Sequence, residues 1–417
     1  MKLRVLHKAL DTVGGAEILL VEQAHAFARA GADVELRTLL HSRDTWAART
    51  GPLRVTALHE IGSGRRPRLT RTLNSRQIAW LLEELPTSDV SIAHGYPVSS
   101  ALGAAASPGL RVWYCHEAPR WLHPQASNPY LARHAERAPE RHAPAYYRRS
   151  FASPLGALPL VGRRRASRVQ ADVRGVSGLG AVWANSEYTR DSVRRIYPGV
   201  DVEVVYPFVH FPPEPPRRSG KPASELGVLC VTRLEWVKNL DTLLEGFALF
   251  RRGAPAARLE IVGTGPAREA LGALARELGI DGRVRFHGFL PDAELDALSA
   301  RCDVFACLPL DEPFGMIFPE AVARGLLVLG PDHGGPLEIL EGGRLGEIAA
   351  PLEPEAVAEG LARLARLSDA DANDRRRAAD AACRARFSPD VVAARMLELL
   401  RRKGAELGRP RRPSAVR

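Results

Sequence analysis

The sequence predicts an α/β protein built of two doubly wound, Rossmann-like domains facing a central cleft, and three observations carry that reading. Strand-like apolar runs alternate with amphipathic stretches in two successive series. Each series opens with a strand feeding a loop and then a helix, at GGAE (Gly14–Glu17) in the first and TRLEWVKN (Thr232–Asn239) in the second. A proline-rich stretch around FPPEPP, residues 207–222, separates them as a linker would.

In order, Leu3–His7 reads as a strand and Gly14-Gly15 as a turn. Ile18, Val21, Ala24 and Ala28 then recur at helical spacing, Gly31 stops the helix, and Val34–Leu39 returns as a strand. Such a βαβ unit implies a parallel sheet with right-handed crossovers. Val90–Ala93, Leu110–Tyr114, Ala181–Ala184 and Val202–Val205 are further strands of a first domain spanning 1–206. From Trp121 to Ser177 the pattern degrades into Pro, His and Arg, which reads as a helical or loop excursion near a cleft, with a disordered insertion as the competing reading. The second domain, 223–388, takes strands at Gly227–Val231, Leu259–Val262, Val284–His287, Val304–Cys307 and Leu326–Leu329. Its helices are Asn239–Arg252, with Asn239 as N-cap, and Ala267–Leu278, closed by Gly279. The remainder, 389–417, is an amphipathic helix (Val392, Met396, Leu399, Leu400) expected to cross the domain junction, followed by a basic tail.

Composition narrows the class. A chain of 417 residues, 45% hydrophobic and 25% charged, suits two or three globular domains. No window nears the roughly 18 apolar residues of a membrane span, and the N-terminus does not read as a secretory signal. Cys115, Cys230, Cys302, Cys307 and Cys383 read as buried thiols in a reducing cytoplasm. The net charge of +10 gathers at Arg163–Arg165, Arg375–Arg377 and the tail. That balance suits an anionic membrane surface, a phosphorylated substrate or nucleic acid, or is solvated surface; no nucleic-acid module accompanies it.

The densest constellation is DEPFGMIFPEA. Glu312 and Glu320 flank Gly315 in a turn after a buried strand, where open α/β sheets bind ligands. Backbone N–H groups of Gly315, Met316 and Ile317 would offer donors to phosphate or sugar oxygens, Glu312 would reach hexose hydroxyls and Glu320 a ribose diol. Alternatively both glutamates are helix-start carboxylates favoured by the dipole. Arg233 and Lys238 lie in a strand-to-helix loop and suit a diphosphate leaving group, Arg as a bidentate fork and Lys as a point charge. Gly14 and Gly15 let backbone approach an anion, or simply make a tight turn. His116, at a strand end in WYCHEAPR, is positioned to touch a sugar or carry a proton, although most of the 12 histidines must be structural. The DxD at Asp369–Asp371 reads as a helix start rather than a metal site.

Taken together, Val231–Lys238, IVGTGP at Ile261–Pro266, HGFL at His287–Leu290, EPFGMIFPEA and HGGPLEIL resemble the retaining glycosyltransferases of family 4, with the GT-B fold. GGAE, YCHEAPR and WANSEYTRD with VVYPFV extend the likeness into the first domain, toward members that build polysaccharide, O-antigen or lipid-linked chains, many of them mannosyltransferases. The resemblance implies that Arg233 and Lys238 hold the diphosphate and that Glu312 takes the transferred sugar. It places Phe314 and the Gly315–Ile317 backbone at sugar and phosphate, Glu320 at the ribose and the backbone of Phe289 and Leu290 at the base. Gly14 and Gly15 would sit beside the phosphates and His116 over the donor sugar. It implies no metal and no cofactor beyond the nucleotide-diphosphate sugar. The acceptor would be a glycan or lipid-linked glycan, and the enzyme cytoplasmic, on a membrane's inner face where the apolar run Phe151 to Val161 precedes Arg163–Arg165 and Arg168. Thr232, Pro319, Arg324 and Leu326 depart from the usual pattern without removing a functional side chain. A GT-B sugar-nucleotide epimerase and a non-catalytic sugar-nucleotide sensor are the competing readings.

Overall fold

The computed structural model describes residues 1–61, 73–83, 87–123, 129–137, 159–214, 216 and 225–407. The chain forms two compact units. The first comprises Met1–Ala126, Ala157–Phe208 and Pro389–Arg417; the second comprises Ser127–Gly156 and Val209–Ser388.

A seven-stranded parallel sheet runs through the first unit in the order β3-β2-β1-β4-β5-β6-β7. Its strands are β1 (Lys2–Leu10), β2 (Asp33–Ser42), β3 (Arg54–Ile61), β4 (Val90–His94), β5 (Leu110–Cys115), β6 (Ala181–Ala184) and β7 (Val202–Val204). A six-stranded parallel sheet in the second unit runs β10-β9-β8-β11-β12-β13. These are β8 (Gly227–Val231), β9 (Arg258–Val262), β10 (Val284–Gly288), β11 (Val304–Ala306), β12 (Leu327–Pro331) and β13 (Glu347–Ala349). In each sheet the strand order reverses beside the opening strand, between β1 and β4 and between β8 and β11, and such switch points are where doubly wound sheets hold ligands.

The apolar runs read from sequence are these central strands, and their burial explains why they read clearly. β4 and β12 are buried along their whole length, as strands covered on both faces must be. The first unit's main core joins Leu3, Val5, Leu20, Phe27, Ile92, Val112, Tyr114 and Trp183 to Val392, Met396, Leu399 and Leu400 of the last helix, Pro389–Leu407. That helix, expected to cross the junction, belongs to the first unit. Arg395 binds Glu203 at 3.0 Å and Lys403 binds Asp201 at 2.5 Å, fixing it beside β7.

The excursion after Trp121 divides. Pro129–Arg137 is a helix of the second unit, whereas Pro159–Ser177 is a helix of the first. The five cysteines are all buried and free. Asp369–Asp371 opens the helix Asp369–Phe387, whose N-cap Ser368 accepts from the Asp371 N–H. Asn239 precedes the helix Leu240–Arg251 but does not cap it as expected. It sits in the left-handed region at φ 58°, makes no side-chain cap bond, and its amide donates instead to the carbonyls of Leu308 and Pro351. The Asn239 side chain therefore ties the loops after β11 and β13 together.

Candidate functional site

In the second unit, the loop after β8 enters a single 3-10 turn, Trp236–Lys238. Val237 is buried there and its carbonyl accepts the Leu310 N–H at 2.9 Å, so the loops after β8 and β11 are hydrogen-bonded to each other. This delivers Lys238 to Glu312, with Nζ 2.6 Å from Oε2. The side chains keep 16% and 19% of their surface, so each can still meet a ligand. Burial works against the Lys238 ammonium, but the charge and hydrogen bond of Glu312 outweigh it and raise its pKa above the usual lysine value. An ammonium has three donors and a carboxylate two oxygens, so one mutual bond leaves both with capacity.

Two glycines shape this corner. Gly315 holds φ 87°, and a Cβ there would stand 3.0 Å from Glu312 Cγ and 2.8 Å from the Phe318 ring. A Cβ at Gly335 would lie 2.3 Å from Phe314 Cα, while the Gly335 N–H donates to the Glu312 carbonyl at 3.0 Å. The HGG turn therefore lies flat against the EPFG loop. Phe314 is buried, its ring edge-on to Phe387 at 5.4 Å. The helix that follows is Ile317–Ala323 with Met316 at its N-cap position, and Glu320 lies in its first turn.

The other expected donor-side residues are more spread out. Arg233 is 71% exposed and pairs with Glu235 at 2.8 Å, and its charge reaches Lys238, where it opposes the ammonium. Phe289 follows β10 and is 79% exposed, the most open large apolar side chain among the described residues. Leu290 is beside it and half-buried.

A helix that sequence reasoning left without a role completes this corner. Leu131 of Pro129–Arg137 packs with Val237, Leu310 and Leu352, and Tyr130 and Trp236 flank the cluster. Tyr130 donates to Asp332 at 3.0 Å, and its ring lies 4.6 Å from that of His333. His134, buried, binds Asp241 at 2.8 Å. Thus the helix braces the loops after β8 and β12 from outside. No local signal marks it, because its partners are more than a hundred residues away.

In the first unit His116 follows β5, and the structure adds two histidines that the sequence reading did not single out. The parallel register aligns Leu6 with Ala93 and His94 with Tyr114, which brings the carboxyl ends of β1, β4 and β5 together. His94 Nδ1 lies 3.0 Å from His116 Nε2, and the His94 ring stacks on Tyr114 at 5.2 Å. His7 Nδ1 donates to the His94 carbonyl at 3.2 Å, while His7 Nε2 faces Glu17 Oε1 at 3.5 Å. Burial, then the charge of His7, pushes the His116 pKa from 6.5 down to about 4, and burial drives His94 well below its usual value. Burial raises the Glu17 carboxyl, but the His7 hydrogen bond and charge outweigh it and the net shift is downward. Gly14 is the N-cap of the helix Gly15–Arg29, and a Cβ on it would meet Glu17 Oε2 at 2.4 Å. The Gly14-Gly15 turn thus stands beside the histidines. Along the chain His7 lies within β1, His94 ends β4 and His116 follows β5, and only the pairing of these strands brings the three together.

Among the described residues, no group of three or more His, Cys, Asp or Glu is placed to hold a metal ion, and no helix is long and apolar enough to cross a membrane. Residues 151–158 of the apolar run expected to meet lipid, and the side chains of Leu160, Val161, Arg163 and Arg164, lie outside the described residues. Arg165 and Arg168 are exposed on the helix Pro159–Ser177.

Residues 213–383 match the family described as glycosyl transferases group 1. Over 251 residues the chain is 33% identical to a GDP-mannose-dependent alpha-(1-6)-phosphatidylinositol monomannoside mannosyltransferase of Mycobacterium tuberculosis, covering 54% of this chain and 62% of that relative. It is 31% identical over 214 residues to a D-inositol 3-phosphate glycosyltransferase of Corynebacterium urealyticum, covering 49% of this chain and 50% of that one. The chain thus spans less than two thirds of the curated relatives it matches. Among solved structures, Anabaena HepE in complex with UDP and glucose superposes with a TM-score of 0.69 at 18% identity, over 96% of this chain and 100% of that one. Sucrose-phosphate synthase from Thermosynechococcus elongatus does so with a TM-score of 0.71 at 17% identity, over 97% and 99%. At these identities the structural likeness speaks for the fold.

Proposed function

We propose that the protein is a glycosyltransferase that transfers a hexose, with retention and without a metal ion, from a nucleotide-diphosphate sugar to a glycan or lipid-linked acceptor; the match of residues 213–383 to the glycosyl transferases group 1 and the GT-B fold support this reading. The observation that carries the reading is the Lys238–Glu312 pair at the switch point of the second sheet. Lys238 serves the diphosphate with its remaining donors, and Arg233, exposed and paired with Glu235, turns to the same phosphates. Glu312 orients the sugar through its hydroxyls, Glu320 takes the ribose, and the Gly315–Ile317 backbone approaches sugar and phosphate beside Phe314. The backbone of Phe289 and Leu290 receives the base.

In the reaction the bond between the anomeric carbon and the diphosphate oxygen breaks, and a bond from the acceptor oxygen to that carbon forms. Negative charge gathers on the departing diphosphate, where fixed cations stabilise it without reorganising. Retention requires attack on the face the diphosphate leaves, so a diphosphate oxygen is the base nearest the acceptor's proton. His116, with its pKa near 4, is neutral at physiological pH and acts as a hydrogen-bonding group beside Gly14 and Gly15, not as a cation. Mannose from a GDP-linked donor is the favoured substrate, supported by the mycobacterial relative's name.

The test is product stereochemistry. With GDP-mannose and a mannoside acceptor, anomeric NMR couplings of the product should show the donor's α configuration. A β-linked product would refute retention.

A further inference from the structure

We propose that His94 is a positioning residue that locks His116 in one tautomer, with His94 Nδ1–H donating to His116 Nε2 and leaving Nδ1 as the only N–H of the His116 ring. The inference rests on the reading of His116 as a site residue.

Two facing ring nitrogens 3.0 Å apart need one donor and one acceptor, which leaves two neutral arrangements. They differ at the far side of His94. Its Nε2 is buried and meets no hydrogen-bond partner among the described residues, in a side chain 1% exposed. If His116 donated, His94 would have to carry its proton on that Nε2, burying an N–H with nothing to receive it. If His94 donates, Nε2 is an unpaired acceptor. Orphaned buried N–H groups are rarer than under-satisfied acceptors, so the second arrangement is favoured.

The surroundings agree. His7 Nδ1 faces the His94 carbonyl and its Nε2 faces Glu17, so neither nitrogen enters the contact between His94 and His116. Burial above all lowers the pKa of both the His94 and the His116 ring, which favours a neutral pair sharing one proton between the facing nitrogens. The stack on Tyr114 and the bond from Asn185 Nδ2 to the His116 carbonyl, 2.9 Å, hold the two rings in place. His116 then has one N–H to offer, at Nδ1, and its partner in the reaction must be an acceptor oxygen, either a sugar hydroxyl or a phosphate.

The experiment uses the full chain with ¹⁵N-histidine labelling and long-range ¹H–¹⁵N correlation at neutral pH, which separates the two neutral tautomers directly. The parent should show His116 protonated at Nδ1. His94→Asn, whose amide places a donor near the former Nδ1, should keep that tautomer. His94→Phe, which keeps the ring but not the donor, should lose it, and kcat should fall about tenfold with little change in donor KM. Protonation of His116 at Nε2 in the parent overturns the proposal, as does an unchanged tautomer in His94→Phe. The spectrum reports the tautomer whether or not a sugar is transferred, so its failure is distinguishable from failure of the proposed activity.

Discussion

The Lys238–Glu312 contact serves equally as a structural ion pair and as half of a binding site, and substitution separates the two roles. Lys238→Ala should lower kcat/KM by an amount equivalent to roughly 2–4 kcal/mol in a chain that still folds, because the charge acts on the leaving diphosphate. Initial rates with circular dichroism alongside measure this, and near-parent turnover would put the diphosphate elsewhere. His116 makes a second prediction, in stability. Its folded pKa is depressed from 6.5 to about 4, so as pH falls the unfolded chain binds the proton first. Stability is therefore full above pH 6.5 and drains between 6.5 and 4. His116→Gln should make that acid limb shallower by about one proton in urea titrations run across the window. An unchanged slope would mean that His116 titrates normally in the folded state.

Loops and helices add two further expectations. Gly335→Ala places a methyl 2.3 Å from Phe314 Cα, so the HGG and EPFG loops must separate. The fold should survive while donor binding weakens, since the displaced loop carries Glu312; thermal shifts with and without GDP-mannose would show it, and an undiminished shift would remove the EPFG loop from the site. Leu131→Ala should destabilise the second unit by about 2–4 kcal/mol, measured by urea unfolding, because it empties a packed cluster. These elements also mark what could be read in advance. Central strands such as Ala181–Ala184 and Gly227–Val231 were legible to the residue, because burial on both faces makes them short continuous apolar runs. Of the four edge strands β7 and β10 were read, whereas β3 and β13 escaped notice. The donor-side residues were legible as a resemblance at fixed spacing. His7 and His94 were not, because parallel register, rather than any local pattern, brings them to His116. The allegiance of Pro129–Arg137 to the second unit rests on packing against Val237 and Leu352, which no local reading contains.

At the scale of the molecule, two parallel sheets each present a switch point with its own chemistry, an ammonium–carboxylate pair in one unit and a neutral histidine pair in the other. In the proposed mechanism fixed cations take the place of a metal, so turnover should persist in EDTA; complete loss with rescue by Mn²⁺ would contradict it. The central claim, that Lys238 and Glu312 mark the diphosphate of a nucleotide-sugar donor, is tested most directly by calorimetric titration of the full chain with GDP, UDP and ADP in EDTA, with Lys238→Ala alongside. One of these diphosphates should bind the parent without a divalent cation, and Lys238→Ala should weaken it by at least about tenfold, or about 1.4 kcal/mol. Binding of none of them, or binding indifferent to the substitution, would contradict the account.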